Sequence, residues 1–414
     1  MNTVEQVEKQ TNSIKVLQGS ITTPLGFLAG GLHCGIKRMR YDLGWIFSVV
    51  PASVAAVYTT NLFQAPPIKV TQDSIFTDRK IQGVIVNSGV ANACTGEEGL
   101  ANAYTMRKMF SEQLGIEEHL VAVSSTGVIG NQLPMEKIID GISSINDIQQ
   151  QNDASDFEKA ILTTDTFSKN ACVTLEVNGK RITIGGAAKG SGMIHPNMAT
   201  MLAFITTDAK VQQTALQQAL KKVVDETFNM ITVDGDSSTN DMVLLLANGQ
   251  AENEELTPEH PDWDLFLQGV NEVSKSLAKQ IAQDGEGATK LIEVQVKGAA
   301  SNEDAKKIAK SIIGSNLVKA AIFGGDPNWG RIVAAIGYSG VELKSTKIKV
   351  DLGPITVVDN GLPYLFSEQE AASYLQQNDT IHIFVDIYDA DGKATAWGCD
   401  LTYDYVKINA SYRT

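Results

Sequence analysis

The sequence predicts a mixed α/β protein with a larger and a smaller domain. In the first half, apolar runs at residues 84–86 and 120–123 each break into polar turns, which is typical of buried strands. Further along, apolar residues recur at helical spacing over residues 216–228 and 266–281. With 414 residues, the chain exceeds the roughly 250–300 residues at which one hydrophobic core stops growing, so two domains are expected.

Local signals mark further elements of the first domain. Ser155 followed by Glu158 has the spacing of a capping box, so a helix is expected to begin at residue 155. Asn178-Gly179 lies between two alternating runs, and this dipeptide favours a two-residue β-hairpin. The stretch MLAFITTDA (201–209) carries almost no charge and predicts a buried strand.

The C-terminal part also combines strands and a helix. A strand is expected at residues 291–298 and a helix at 301–313. Alternating apolar residues predict another strand at 381–387, and Asp391-Gly392 after it suggests a second hairpin.

A short segment at residues 283–290, QDGEGATK, separates the two parts of the chain. It is polar and carries two glycines, which is typical of a linker. We therefore expect a main α/β domain at residues 1–285 and a smaller α+β domain at 286–414.

Charge and hydropathy exclude several functional classes. The formal net charge of −14, with no basic run, would repel a polyanion and argues against nucleic-acid binding. The N-terminus is polar and carries acids, unlike a secretory signal, so the protein is expected in the cytoplasm. The most apolar segment, residues 45–63, is interrupted by Pro51 and falls short of the ~20 apolar residues of a bilayer span, so no membrane role is expected.

The sequence gives no reason to expect a metal site. The cysteines lie far apart without CxxC spacing, so we expect reduced and mostly buried thiols. They are Cys34, Cys94, Cys172 and Cys399. Three acids in DGDSSTND, Asp234, Asp236 and Asp241, lack the spacing, glycine and closing glutamate of an EF-hand loop. We interpret these aspartates as turn or network residues.

In the stretch KGSGMIHPNMATML (189–202), a glycine-rich approach leads to a threonine that opens an apolar strand. A phosphate-binding P-loop is excluded, since Ser191 stands where the lysine is required. A dinucleotide-binding fingerprint fails at His195, which stands where a glycine is required. No second histidine lies near His195 in the sequence, so we interpret it as structural. The simplest interpretation of the stretch is a turn before a strand.

Thr200 offers a chemical alternative. If the chain is cut after Ala199, Thr200 gains a free α-amine beside its hydroxyl. This amine has a reference pKa of ~7.7–8.0, so near neutral pH it can act as the base that activates the hydroxyl. The preceding glycines would let the uncut loop bend until the Thr200 oxygen reaches the Ala199 carbonyl.

Several motifs together resemble the ornithine acetyltransferase family of arginine biosynthesis. Besides the segment at 189–209, they are VNSGVANACTG (86–96), SSTGVIG (124–130), ILTTDT (161–166), TVDGDSSTNDM (232–242), GGDPNWGRI (324–332) and INASYRT (408–414). The resemblance spans nearly the whole chain in order and spacing. It implies self-cleavage into an α chain (1–199) and a β chain (200–414). It also implies a layered αββα sandwich similar to that of N-terminal-nucleophile enzymes.

The resemblance implies an activity and the residues that perform it. Thr200 would take the acetyl group of N-acetylornithine and pass it to glutamate, with Thr126 and Gly127 as the oxyanion hole. Lys189 suits a substrate carboxylate and Glu286 a cationic amine. The full implied binding set is Thr163, Lys189, Thr200, Glu286, Asn409 and Thr414. No resident cofactor is implied, acetyl-CoA stays open as a second acetyl donor, and the fragments are expected to assemble as α2β2.

Two other functions stay open. An N-terminal-nucleophile aminopeptidase or amidase would share Thr200 and the oxyanion residues but deliver the acyl group to water. A binding protein would leave the loop uncut, and electrophoresis would then show one chain of 44.5 kDa. The segments at 234–241 and 324–332 carry no assigned functional role.

Overall fold

The computed structural model describes residues 14–148, 150–195, 201–343 and 347–411. The strands in these ranges are Lys15–Leu17 (β1), Phe27–Leu32 (β2), Leu43–Tyr58 (β3), Lys80–Val90 (β4), Val121–Val128 (β5), Lys169–Val177 (β6), Lys180–Lys189 (β7), Leu202–Thr207 (β8), Ile231–Thr232 (β9), Met242–Ala247 (β10), Leu291–Ala299 (β11), Lys349–Leu352 (β12), Ile355–Asp359 (β13), Leu362–Pro363 (β14), Thr380–Asp386 (β15) and Gly392–Cys399 (β16). The α-helices are Pro66–Asp78 (α1), Gly96–Leu114 (α2), Met135–Ser143 (α3), Ala154–Ile161 (α4), Gln213–Glu226 (α5), Trp263–Gln283 (α6), Asn302–Gly314 (α7), Asn316–Gly324 (α8), Trp329–Gly337 (α9), Glu368–Gln377 (α10) and Tyr403–Ala410 (α11). Short 3₁₀ turns occur at Glu118–Leu120 and Phe228–Met230.

The first sheet follows the order β1-β6-β7-β8-β10-β3-β4-β5, with β2 paired to β3. Near its middle, β8 and β10 are parallel, with Leu202 opposite Met242. Every residue of these two strands is buried, which is the pattern of strands covered on both faces. This confirms the buried strand predicted after residue 200. The hairpin predicted at Asn178-Gly179 is also confirmed, because these residues join β6 to β7 with φ angles of 46° and 75°.

The second sheet follows the order β14-β13-β12-β15-β11-β16-β9. β11 lies between two partners, parallel to β15 and antiparallel to β16. The hairpin predicted at Asp391-Gly392 is therefore wrong, since β15 and β16 lie on opposite sides of β11. Neither residue has the positive φ that a type I′ turn needs at both central positions. The start of β11 is buried, so its backbone groups need partners along both edges, and β15 and β16 supply them.

Helix α6 packs against both sheets. The apolar positions predicted at helical spacing are all buried, which confirms the periodicity: Phe266, Val270, Val273, Leu277 and Ile281. It contacts β6 and β7 of the first sheet and β16 of the second, while α7 packs on β11 and β16. One cluster of buried apolar side chains thus continues from the first sheet through α6 into the second. Two mixed sheets with helices packed on them confirm the predicted mixed α/β class. The domain division at residue 285 stays a prediction.

Helix α4 lies where a helix was predicted, but it is capped differently. The N-cap residue is Asp153, whose carboxylate accepts a hydrogen bond from the Ser155 backbone N–H at 2.8 Å. Glu158, predicted to reach back to the helix start, is buried and accepts from the Ser20 hydroxyl at 2.5 Å. The capping box at Ser155 is therefore wrong, because Glu158 lies on the buried side of the helix.

Two further predictions concern the burial of the cysteines and the absence of a membrane span. All four cysteines are free; Cys172 and Cys399 are buried, Cys34 is half-buried and Cys94 is exposed, so burial is confirmed for two of the four. None of the helices in the described ranges has the length and apolar character needed to cross a bilayer.

Candidate active site

One cavity of about 340 Å³ gathers the candidate residues that lie in the described ranges. They come from distant parts of the sequence: Thr126, Gly127, Thr163, Lys189, Glu286 and Asn409. Ala199, Thr200 and Thr414 lie outside the described residues. Larger hollows of about 780 and 800 Å³ elsewhere contain none of these six residues, so the smaller cavity is the candidate site.

Thr126 and Gly127 lie near the end of β5, which is parallel to β4. Gly127 has a φ of 133°, and a Cβ there would lie 2.2 Å from the Gly89 carbonyl carbon. Only glycine therefore fits this close approach of two strands. Asn240 donates its amide to the Ser125 carbonyl at 2.9 Å and ties the segment before β10 to this strand end.

Lys189 ends β7 and reaches the Thr163 hydroxyl, with Nζ 3.5 Å from Oγ1. Both residues are held through Asp165, which accepts from the Thr163 N–H at 3.0 Å and from the Gly190 N–H at 2.7 Å. Asp165 therefore fixes the backbone on both sides of the contact between Lys189 and Thr163.

A buried ion cluster supports Asp165. Lys169 Nζ lies 2.7 Å from the Asp165 carboxylate and 2.5 Å from that of Asp284. Burial alone would raise the pKa of Asp165, but the ammonium groups of Lys169 and Lys189 outweigh it and lower the pKa to about 2. Asp165 is therefore ionised at neutral pH and completes its hydrogen bonds as an acceptor.

Glu286 lies at another part of the cavity lining and is 7% exposed. Its Oε2 accepts a hydrogen bond from the Asn409 side-chain amide at 2.8 Å, and its backbone N–H donates to the Ser191 carbonyl at 3.0 Å. A Cβ on Gly192 would lie 2.3 Å from the Glu286 carboxyl carbon. The glycine-rich stretch thus makes room for a buried carboxylate at the cavity.

The segment that ends at residue 195 is held by hydrogen bonds to residues of β9 and the loop that follows it. Asp234 accepts from the Met193 N–H at 2.6 Å and from the Ile194 N–H at 2.9 Å. The His195 ring nitrogen Nδ1 lies 3.0 Å from the Thr232 hydroxyl, and burial is the main cause that lowers the His195 pKa. These contacts fit the structural interpretation of His195 and the network interpretation of Asp234.

Chemically, the cavity offers opposite charges and small polar groups. Lys189 supplies an ammonium group and Glu286 a carboxylate, and the hydroxyl of Thr126 and the amide of Asn409 add hydrogen-bonding groups. No group of three or more His, Cys, Asp or Glu side chains able to hold a metal ion occurs in the described part of the chain. The arrangement suits a zwitterionic small molecule.

Sequence reasoning missed two residues that line the same cavity, Asn240 and Asp241. Asp241 was interpreted as a turn or network residue, yet its Oδ2 has no hydrogen-bond partner among the residues described. A usable signal was present, because Asp241 directly precedes the wholly apolar strand β10. A carboxylate that adjoins a fully buried strand is expected to be buried too, which is rare for an aspartate and points to a special role.

The chain is similar to known proteins over nearly its whole length. The model of the ArgJ family matches residues 28–414. The arginine biosynthesis bifunctional protein ArgJ of Oceanobacillus iheyensis is 57% identical over 409 residues, which cover 98% of this chain and 100% of that protein. The chain belongs to the ArgJ family. The member of the family from Bacillus subtilis (strain 168) is 56% identical over 408 residues, covering 99% of this chain and 100% of that protein.

Solved structures of ArgJ family proteins match as well. The crystal structure of the arginine biosynthesis bifunctional protein from Bacillus halodurans is 56% identical in sequence, with a TM-score of 0.51. It covers 51% of this chain and 100% of the solved chain. A structure of ornithine acetyltransferase complexed with ornithine, from Mycobacterium tuberculosis, is 32% identical, with a TM-score of 0.40, and covers 45% of this chain and 100% of that chain.

Proposed function

We propose that this protein is the acetyltransferase of arginine biosynthesis that moves the acetyl group of N2-acetyl-L-ornithine to L-glutamate, giving ornithine and N-acetylglutamate. The observation that carries the proposal is the convergence of six candidate residues, from Thr126 to Asn409, on one cavity of about 340 Å³. The relatives are named bifunctional proteins of arginine biosynthesis, which supports a second reaction with acetyl-CoA as the acetyl donor.

The nucleophile of the proposal is Thr200, released as an N-terminal residue when the chain cleaves itself after Ala199. Its α-amine takes the hydroxyl proton as the oxygen attacks the acetyl carbonyl. Met201, the next residue, is buried, and its carbonyl accepts from the Met242 N–H at 3.1 Å. The nucleophile would thus directly precede a fixed position in the middle of the first sheet.

The oxyanion that forms in this attack needs hydrogen-bond donors. Thr126 and Gly127 line the cavity at the end of β5 and can offer a hydroxyl and a backbone N–H. Gly127 packs closely against the Gly89 backbone, and the Asn240 amide donates to the Ser125 carbonyl. The end of β5 is therefore already ordered before the reaction. Preorganised donors lower the barrier because they need not reorient in the transition state.

Substrate recognition in the proposal relies on the two charges of the cavity. Lys189 would bind the α-carboxylate of an amino acid, and Glu286 would face the side-chain ammonium of ornithine. Thr163, Asn409 and Thr414 would complete the binding set. One site could then hold N-acetylornithine first and glutamate afterwards, which predicts ping-pong kinetics.

Water competes with glutamate for the acetyl group in this scheme. Water is present at ~55 M, but effective molarities of ~10⁵ M or more for a well-positioned amine can outcompete it. An N-terminal-nucleophile hydrolase would share the first half of the reaction and fail to position the acceptor. The release of acetate therefore distinguishes the two functions.

The assembly in the proposal is α2β2, from two copies of each fragment, in the cytoplasm. Size-exclusion chromatography with light scattering measures the number of fragments per particle.

The test is a two-substrate assay. N-acetylornithine and glutamate are varied together, and ornithine, N-acetylglutamate and acetate are quantified. The proposal predicts parallel double-reciprocal lines and little acetate while glutamate is present. If acetate formed as fast as N-acetylglutamate at saturating glutamate, the protein would be a hydrolase. A parallel assay with acetyl-CoA and glutamate tests the second reaction.

A further inference from the structure

Asp241 is a buried acid that none of the proposed steps uses. The residue is 4% exposed and lines the candidate cavity directly before β10. Its Oδ2 is buried and has no hydrogen-bond partner within the described ranges. Buried polar atoms are nearly always paired, so an unpaired carboxyl oxygen at a cavity requires an explanation.

The surroundings of Asp241 favour its neutral form. Burial raises the pKa of this carboxyl to about 8, against the opposing effects of the Lys189 ammonium and of hydrogen bonds from Ser238. The charged groups that line the same cavity are Lys189 from β7 and Glu286 from the segment after α6. Asp241 therefore carries a proton at neutral pH and can lose it within the range in which an enzyme works.

The register of the first sheet places Asp241 beside the start of β8. Met242 pairs with Leu202, and the Met242 N–H donates to the Met201 carbonyl at 3.1 Å. Asp241 thus neighbours Met201, the residue that follows Thr200 in the chain.

The chemistry of the proposed transfer requires a second proton site. Glutamate arrives mainly as an ammonium ion, and its nitrogen must lose two protons to become an acetyl amide. The α-amine of Thr200 can carry one of them between nitrogen and the threonine oxygen. The other has no carrier among the groups assigned so far.

We propose that Asp241 is this second proton carrier: as an acid it gives a proton to the departing ornithine nitrogen, and as a carboxylate it takes one from the glutamate ammonium. This inference rests on the acetyl transfer proposed above.

The protons balance over the cycle. In the first half, the amide C–N bond breaks and an ester to Thr200 Oγ forms. The hydroxyl proton passes through the α-amine to the departing nitrogen, Asp241 adds a second proton, and ornithine leaves as an ammonium ion. In the second half, Asp241 takes one proton from the glutamate ammonium, and the nitrogen attacks the ester carbon. Its other proton passes through the α-amine to the Thr200 oxygen as the C–O bond breaks, and both protein groups regain their starting states.

The experiment compares Asp241→Asn with the wild-type protein. Asparagine keeps the shape of the protonated acid but cannot exchange a proton. Asp236→Asn is the matched control, because Asp236 belongs to the same segment, is exposed and does not line the cavity. For each protein, electrophoresis records the cut, and kcat, KM and their pH dependence are measured with N-acetylornithine and glutamate.

We expect Asp241→Asn to be cut normally and to lose about 10²-fold in kcat near pH 7.5, with a smaller change in KM, as for loss of a general acid–base. The wild-type rate should fall above about pH 8, where Asp241 loses its proton. The rate of the variant should instead rise with pH, because glutamate then arrives as the free amine. Asp236→Asn should follow the wild type.

Stability gives a readout that is independent of activity. The folded-state pKa of Asp241, about 8, lies above its ordinary value of 3.8, so between these values unfolding releases a proton and the contribution to stability is lost progressively as pH rises. The melting temperature of the wild type should therefore fall more than that of Asp241→Asn as the pH is raised from about 4 to about 8.

Three results would overturn the inference about Asp241: an uncut variant, an alkaline decline in rate that persists in Asp241→Asn, or equal pH dependence of the two melting curves. If the wild type itself forms no N-acetylglutamate, the proposed function fails instead, and the two failures are distinguishable.

Discussion

Lys189 and Glu286 are held at the cavity in different ways. Lys189 contacts the neutral hydroxyl of Thr163, which leaves its ammonium hydrogens able to meet a substrate carboxylate. Glu286 accepts a hydrogen bond from Asn409 and is packed against Gly192. The lysine is thus suited to contribute mainly to binding, and the glutamate is a fixed acceptor whose position depends on a glycine.

Replacing Lys189 by methionine should therefore weaken binding more than it affects the cut. We expect Lys189→Met to yield both fragments and to raise the KM of N-acetylornithine and of glutamate at least tenfold, because the partner of a substrate carboxylate is lost. Steady-state kinetics and electrophoresis measure both effects. Lys180→Met, at the exposed start of the same strand, is the control and should behave as wild type. An unchanged KM in the cut Lys189 variant would remove Lys189 from the site.

Replacing Thr126 by alanine should slow turnover without unfolding the protein. Loss of one oxyanion donor typically costs ~2.7–4 kcal/mol of transition-state stabilisation, so kcat should fall by well over tenfold. Thr126→Ser keeps the hydroxyl and should retain most of the rate. Circular dichroism checks that both variants are folded. A turnover number unchanged in the alanine variant would show that the hydroxyl is not an oxyanion donor.

At the scale of elements, the ion cluster of Lys169, Asp165 and Asp284 joins the start of β6, the end of β7 and the end of α6. These side chains are almost completely buried, at 0%, 0% and 2% exposure. Asp284 also accepts hydrogen bonds from the backbone N–H and the hydroxyl of Thr166. The cluster therefore holds the cavity wall that carries Thr163 and the end of β7.

Removing the only lysine of this cluster should destabilise the protein strongly. Lys169→Met leaves two buried carboxylates without their cation, and breaking a buried ion pair costs ~3–5 kcal/mol. Urea unfolding followed by circular dichroism measures the change in the free energy of unfolding. Lys159→Met removes a surface pair with Asp156 and should change it by less than ~1 kcal/mol. Equal stability of the two variants would contradict the structural role of the cluster.

Elements fixed by local patterns were predictable from the sequence, and those fixed by distant partners were not. The turn at Asn178-Gly179 depends on two neighbouring residues and was predicted correctly. The turn at Asp391-Gly392 was wrong because β11, far earlier in the chain, lies between the two strands. The capping box predicted for α4 was wrong because Glu158 is buried and accepts a hydrogen bond from the distant Ser20.

At the scale of the whole molecule, the site depends on the order of strands across the first sheet. That order places β8 and β10 side by side. One cavity is then lined by the end of β5, by the segment before β10 and by residue 286. The family resemblance supplied the candidate residues. The position of Asp241 before a wholly apolar strand could have indicated its burial, but the carboxyl oxygen without a partner among the described residues is a property of the assembled cavity.

The central claim is that an acetyl group passes through the fragment beginning at Thr200, and intact-mass spectrometry tests it most directly. The wild-type protein, mixed with N-acetylornithine alone, should show a fragment of residues 200–414 that carries one acetyl group. Adding glutamate should remove that group and form N-acetylglutamate, while Thr200→Ala should remain one uncut, unacetylated chain. Two fragments from Thr200→Ala, or a wild-type protein that turns over without ever carrying acetyl on that fragment, would contradict the account.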